Sequence, residues 1–498
     1  MENLATPQQV KTKATGPALT LSLSAIVPWA AVSGLVVLVL GGLAANAGGL
    51  LVYLFPLAAL AVGSLLYWCY PGLYLGFTWW LWFLTPAVRR VVDYQEGWNP
   101  ENPIMLAPYL VAALTLFTLL RHLPKLQFSR LFPFGLIFLS LSYGFGVGIY
   151  RGGWQTTTYD LINWLIPVTF AFYLVVHWRG YPRYRQVVQR TFVWGVLVMG
   201  LYGLLQFFSP PIWDQYWMLS APITSIGSPE PFEVRVFSTS NSPGPFAVVM
   251  MAGLLSLLSG GGLLRWPAAG VGFASFLLSL VRSAWGAWVL GMVFIVARRG
   301  RLRQLAAVVV MGSIALPLLT VGPVAETINA RLETVSNLEQ DTSFVDRVTF
   351  YSEFLPQALL NPVGEGLGST GLATKLSTPG GQLGEFSSFD SGFMHIPFVL
   401  GWPGSLLYVG GLIWLLFYVL RGGGPRSDPF ADIARGIAIA MVAQLVFGNS
   451  LVSLSGMVFW SFLGLSLAAR VHHANTASVV VKSPVYVNSS RLSQGARR

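Results

Sequence analysis

Residues 21–43 read LSLSAIVPWAAVSGLVVLVLGGL, an apolar run without a single charged side chain. A helix needs about 20 apolar residues to cross the hydrocarbon of a bilayer, and only an element that pairs its own backbone groups is stable there. Lys11 and Lys13 precede the run, and Ala45-Asn46-Ala47 after it has the form of a signal-peptidase site. The run exceeds the roughly 7–15 residues of a signal core, so it reads as a retained first span and not as a cleaved leader.

Working outward, similar runs lie near 47–69, 72–86, 104–120, 131–149, 161–177, 191–208, 243–260, 266–280, 284–297, 304–321, 392–420, 433–450 and 455–469. With 54% hydrophobic side chains, only 10% charged ones and a mean hydropathy of +0.62, the 498-residue chain cannot solvate a globular surface. The fold class that follows is all-α: a polytopic integral membrane protein with about 12–14 transmembrane helices. The shortest runs, 72–86, 266–280 and 284–297, are the weakest signals. The single Cys69 excludes internal disulfides and cysteine-rich metal sites.

Basic clusters fall in alternate loops: Arg121/Lys125/Arg130, Arg179/Arg183/Arg185/Arg190, Arg298/Arg299/Arg301/Arg303 and Arg421/Arg426/Arg435. Retention of Lys and Arg in the cytoplasm then puts both termini inside and every acid outside except Glu2, Asp428 and Asp432. The net charge of +11 is therefore an insertion signal and an attraction for anionic membrane lipids, and nucleic acid is not expected as a partner. The resulting order is a cytoplasmic segment 1–20, transmembrane helices 21–321, a long extracytoplasmic loop 322–391, C-terminal helices 392–470 and a disordered cytoplasmic tail 471–498. Within the long loop, SFVDRVTFYSEFLPQALL (343–360) spaces Phe344, Val348, Tyr351 and Leu355 as an amphipathic helix on the membrane surface.

In this reading no carboxylate lies inside a span, which argues against an ion-coupled carrier. What remains at the outer rim is a set of arginines: Arg89, Arg90, Arg235, Arg282 and Arg347. Arg282 interrupts FASFLLSLVRSAWGAWVLG (273–291) on the outer side, where no cytoplasmic anchor is called for. A guanidinium fork there matches phosphate oxygens, although an ion pair or a lipid headgroup would also satisfy it. Arg235 precedes the Ser, Thr and Asn cluster ending at Asn241 and Pro243, which can cap a helix or offer polar groups to a sugar. Asn361 to Gly368 (NPVGEGLG) lacks the Gly-Lys-Ser/Thr of a nucleotide loop and reads as a tight turn with close backbone approach. Asp390 stands at the mouth of the next span with His395 slightly more than one turn further in, and either could accept a proton from an alcohol. Each also has a purely structural reading, Asp390 as a cap and His395 as a core histidine.

Together these pieces resemble the O-antigen ligase and O-antigen polymerase family of bacterial polysaccharide assembly over roughly residues 230–470. The resemblance rests on Arg235, Phe237, Asn241 and Pro243, on Arg282-Ser283, on Asp346-Arg347, on the Pro362–Gly368 run, and on Asp390 ahead of Gly401-Trp-Pro-Gly404. It implies glycosyl transfer on the extracytoplasmic face of the inner membrane, from a polyprenyl-diphosphate-linked glycan to an acceptor glycan, without metal or cofactor. Membrane lipids and other polysaccharide-assembly proteins are the further partners it suggests. Arg282, Arg347 and Asp390 would be catalytic, and Arg235, Asn241, Arg89, Arg90 and His395 would bind substrate. Where the ligase branch carries His, Asp390-Ser391 stands, which favours a polymerase over a ligase. Some relatives are labelled bicarbonate transporters, so a transporter or flippase remains the non-enzyme alternative.

Overall fold

The computed structural model describes residues 23–127, 130–259, 261–299, 322, 356, 360–376, 391–421 and 428–482. Those residues form fifteen α-helices with short 3-10 turns, and their one β contact is an isolated bridge between Gly227 and Val234. In chain order the helices are α1 (Leu23–Ala44), α2 (Gly48–Cys69), α3 (Pro71–Glu96), α4 (Leu106–Ala113), α5 (Thr115–His122), α6 (Phe132–Gly152), α7 (Trp154–Val176) and α8 (Tyr181–Phe208). They continue with α9 (Ile212–Ser220), α10 (Pro243–Leu257), α11 (Arg265–Leu278), α12 (Arg282–Arg299), α13 (Gly392–Arg421), α14 (Pro429–Gln444) and α15 (Ser453–Lys482). Among the described residues eight stretches are long and apolar enough to cross a membrane, so the protein is a multi-pass membrane protein.

The core is built around α15, whose apolar window is 89% buried, whereas α1 at the periphery is 17% buried and turns Trp29, Val37 and Leu40 outward. Lipid tails are as apolar as leucine, so such helices associate through close packing and not through water exclusion. Glycine provides that closeness in the main helix pairs. Gly411 of α13 faces the Pro133 carbonyl of α6, Gly464 of α15 faces the Ala171 backbone of α7, and Gly200 of α8 lies on Gly272 of α11. Two cross-helix hydroxyl bonds reinforce the fit, from Ser140 to the Gly404 carbonyl (2.7 Å) and from Ser275 to the Gly200 carbonyl (2.6 Å).

Several elements differ from the sequence reading. The span at 72–86 and the segment after it are one helix, α3, which accommodates Pro86 and ends only at Gly97 with φ 98°. Arg89, Arg90 and Asp93 therefore project from a helix. The span at 104–120 is split at Leu114 into α4 and α5, and a short helix, α9, forms in the Pro- and Gly-containing segment 209–242. Asp160, expected ahead of its span, lies within α7, which therefore carries a buried carboxylate inside an apolar helix, whereas Asp432 sits in the first turn of α14. The argument against a carrier loses that premise. The chain after Val471 begins as helix and not as disordered tail, since α15 runs to Lys482. The span 304–321 and the amphipathic helix at 343–360 lie outside the described residues.

The bundle has two chemically distinct ends. At one, Asp428 receives Tyr181 Oη (2.7 Å) and pairs with Arg185 (3.2 Å) and His473 (2.9 Å), while Asp432 pairs with Arg435 (2.7 Å) and Arg298 (3.4 Å). Arg185, Arg298 and Arg435, from three of the basic clusters, meet here, and this is called the basic end. At the opposite end lie Asp93, Asp160, Asp214, His395 and both candidate arginine segments.

Candidate functional site

The centre of the opposite end is a broken helix closed by the glycine run. Within α13 the backbone at Gly401 turns to φ 60°, ψ −170°, and Pro403 removes a further donor. The carbonyls thereby released are taken up by the run, with the Glu365 amide donating to Phe398 (2.8 Å) and the Gly366 amide to Val399 (2.9 Å). In return the Trp402 amide donates to the Pro362 carbonyl (2.9 Å). Irregular backbone within a membrane bundle persists only where its polar groups find such partners. The run then threads past α6 and α7: the Leu367 amide donates to Gly144 (3.0 Å), and the Gly368 amide donates to Asp160 Oδ2 (2.9 Å). Gly364, Gly366 and Gly368 have φ of 80°, 84° and 90°, and a Cβ on them would strike the backbones of Gly401, Gly148 and Thr156 respectively. The close approach expected of NPVGEGLG is present.

Beyond the run, His395 is held between two elements. Thr370 Oγ1 lies 2.6 Å from its Nε2 and Asn449 Nδ2 lies 2.5 Å from its Nδ1, with the Trp164 ring 5.5 Å away. Asn449 Oδ1 already accepts from the Leu451 amide (3.0 Å), so the group facing the imidazole is the amide donor. Nδ1 is then the acceptor, and the ring proton sits on Nε2 toward the Thr370 hydroxyl. Ser391 caps α13, its Oγ accepting from the Met394 amide (3.3 Å). The capping role considered for Asp390 is filled by the next residue, and Asp390 itself, like Arg347, lies outside the described residues.

Arg235 and Arg282 come together on a second feature. Between α11 and α12 the chain breaks at Ser279–Val281, where Leu280 adopts φ 55°. The Arg235 segment docks on that break, with the Val236 amide donating to Leu278 (3.0 Å) and Arg235 Nη2 donating to the Leu280 carbonyl (3.3 Å). Arg282 is the first residue of α12. A cation at a helix N-terminus opposes the helix dipole, so its placement there favours a neighbouring anion. Gly291 of α12 faces Gly436 and Ala440 of α14, and α14 leads on to Asn449, so Arg282 and His395 belong to the same end of the bundle.

Arg89 and Arg90 have structural partners instead of the substrate-facing positions expected. Arg90 and Asp214 form a fully buried pair at 3.1 Å; Arg90 Nη2 donates to the Ser238 carbonyl and the guanidinium lies 4.8 Å from the Phe237 ring. Burial pushes the Asp214 carboxyl above the usual carboxylate range, while Arg90, Gln206 and Tyr202 pull against it. Gln206 accepts the Phe237 and Ser238 amides through its Oε1 (3.0 and 2.8 Å), so this network fixes the polar segment that carries Arg235 and Asn241. Arg89 pairs with Asp93 (3.1 Å) and donates to the Asn99 carbonyl (2.6 Å). Asn241 is tied back by its own carbonyl, which accepts Trp217 Nε1 (3.1 Å).

Sequence reasoning missed Asp160, Thr370, Asn449 and the Gln206–Asp214 pair. Asp160 could have been found as the lone acid of TTTYDLINW at the start of an apolar run. The others are ordinary polar residues whose significance lies in contacts across the fold. No cluster of three or more His, Cys, Asp or Glu among the described residues is arranged to hold a metal ion. Residues 267–409, from α11 through the glycine run to the first half of α13, match the family profile described as O-antigen ligase. No curated protein matches the chain.

Proposed function

From the O-antigen ligase segment at 267–409, we propose that this membrane protein polymerises a bacterial surface polysaccharide on the extracytoplasmic face of the inner membrane. The donor is a glycan on a polyprenyl diphosphate and the acceptor is a second glycan chain. The observation that carries the reading is the docking of the Arg235 segment on the break that precedes Arg282 (Arg235 Nη2 to Leu280 carbonyl, 3.3 Å). Two guanidinium-bearing segments thus converge at one helix N-terminus, an arrangement suited to a diphosphate.

In this mechanism the acceptor hydroxyl attacks the anomeric carbon, the bond from that carbon to the phosphate oxygen breaks, and the polyprenyl diphosphate leaves. Arg235, Arg282 and Arg347 stabilise the charge that grows on it. Asp390 takes the proton of the attacking hydroxyl. The bonding of His395 favours that division of labour, because its Nδ1 lone pair is engaged by Asn449 and its Nε2 proton faces Thr370. The substrate-contact roles first assigned to Arg89 and Arg90 pass to support of the Arg235 segment.

A second reading, transfer of the glycan to a lipid or protein acceptor, is favoured by the description of the matched family as ligase. Purified protein supplied with lipid-linked repeat units and resolved on a gel separates the two. A ladder of products marks a polymerase, and single addition requiring a separate acceptor marks a ligase. Passage of the lipid-linked glycan across vesicles with no new glycosidic bond would refute both. In the same assay Arg282→Lys keeps the charge but loses the fork, and activity is expected to fall about 10²–10³-fold, the scale on which removal of a charge-stabilising donor acts. Unchanged activity in Arg282→Ala would remove the proposed diphosphate site.

A further inference from the structure

At the basic end, one face of α8 presents Gln186, Gln189, Arg190, Val193 and Trp194 to the turn that follows α10, and together with Gly261 and Leu264 they enclose an open cleft of about 320 Å³. Several arginines of this end are engaged: Arg185 on Asp428, Arg298 and Arg435 on Asp432, Arg421 over the Phe417 ring and Arg470 over the Tyr418 ring. Arg190 is exposed and has no hydrogen-bond or ion-pair partner among the described residues. Two of its neighbours are amide side chains, one of them held in place by Gln189 Nε2 donating to Ser259 Oγ (2.6 Å).

The depth of this cleft follows from helix length. The 28 residues of α8 span about 42 Å at 1.5 Å per residue, and the hydrocarbon accommodates only about 20 of them. Counting back from Phe208, the last residue of α8 at the opposite end, the boundary falls near Gln189. Arg190 thus lies at the level of lipid headgroups. Trp194, 51% exposed, lies one turn deeper, where an indole belongs at a membrane interface. Leu263, which precedes the cleft residue Leu264 in the chain, is 86% exposed and supplies an apolar surface for acyl chains.

We propose that this cleft binds the phosphate of an anionic phospholipid from the cytoplasmic leaflet, with Arg190 as the cation and Gln186 and Gln189 as donors to the headgroup oxygens. Partial enclosure fits a headgroup whose chains must remain in the bilayer. The site is remote from the glycan-transfer end and does not depend on that assignment.

The test is thermal unfolding of the full chain in dodecyl maltoside micelles, titrated with phosphatidylglycerol, with phosphatidylcholine, or with sn-glycerol 3-phosphate alone. Phosphatidylglycerol should raise the melting temperature saturably and the other two should not. Arg190→Gln should raise the half-saturating mole fraction of phosphatidylglycerol roughly five- to tenfold. Gly261, whose Cβ would meet nothing within 4 Å, offers a second route: Gly261→Leu fills the cleft without changing charge and should weaken the titration comparably. An unchanged titration in either folded variant overturns the site. An equal shift from phosphatidylcholine removes the anionic requirement, and a full shift from glycerol phosphate alone makes the ligand a soluble phosphate and overturns the lipid assignment.

Discussion

The Trp402 amide donates to the Pro362 carbonyl at 2.9 Å, joining the broken α13 to the start of the glycine run. A helix that gives up its own hydrogen bonds inside a membrane bundle must recover them elsewhere, and here the partner is the glycine run.

Gly366 is where that closure leaves least room. Its φ is 84°, and a Cβ would enter the backbone of Gly148. Gly366→Ala should therefore destabilise by on the order of 2–4 kcal/mol, combining left-handed strain with overpacking. Gly371 has a similar φ of 66° but open space around it, so Gly371→Ala should cost only about 1–2 kcal/mol. Melting of both variants in detergent checks this, and equal shifts would mean that the backbone contact with Gly148 contributes nothing.

The buried Arg90–Asp214 pair makes a different prediction. Removing one partner leaves an uncompensated buried charge, so Arg90→Gln should lose about 3–5 kcal/mol, whereas the double replacement Arg90→Met with Asp214→Leu should recover most of it. Protein remaining folded after heating in detergent gives the readout. If Arg90→Gln is as stable as the parent yet inactive, Arg90 contacts substrate after all.

The membrane class, the alternation of basic loops and the glycine run as a close-approach turn could all be read from the chain, because each follows from a local pattern: apolar length, charge bias, or Gly spacing. Arg282 was legible as a cation interrupting an apolar run, and Arg235 as one preceding a polar cluster. Arg90 was read with them at the outer rim, and it is buried in a pair with Asp214. Nothing local distinguishes it from Arg282, since its partner Asp214 lies across a loop and on another helix. Thr370 and Asn449 escaped notice for the same reason, each having meaning only through His395.

At the basic end the Asp428 carboxyl lies below the usual carboxylate range. Burial alone would raise it, and His473, Tyr181, the Ala431 amide and Arg185 outweigh that effect. A depressed folded value contributes stability that is present above the unfolded pKa of about 4 and is lost as pH falls through the folded value. Asp428→Asn should lower the melting temperature at pH 7 and flatten its decline below about pH 4. Parallel acid limbs for variant and parent would show that this carboxylate does not govern acid stability.

The identity of the base is the sharpest test of the proposed chemistry. Asp390 directly precedes Ser391, which already caps α13, so the aspartate is not needed for that task. His395 is committed through Nδ1 to Asn449 and through Nε2 to Thr370, and to act as base it would have to surrender one of those contacts. Loss of a general base removes about 10²–10⁴-fold of rate. Asp390→Asn should therefore abolish polymer while lipid-linked donor accumulates and the protein remains in the membrane, and Asp390→His should restore part of the activity. His395→Gln should act mainly on stability, lowering the melting temperature in step with Asn449→Ala. Normal polymer from Asp390→Asn with none from a stably folded His395→Gln would transfer the role to His395, and silence of both would remove the start of α13 from the reaction.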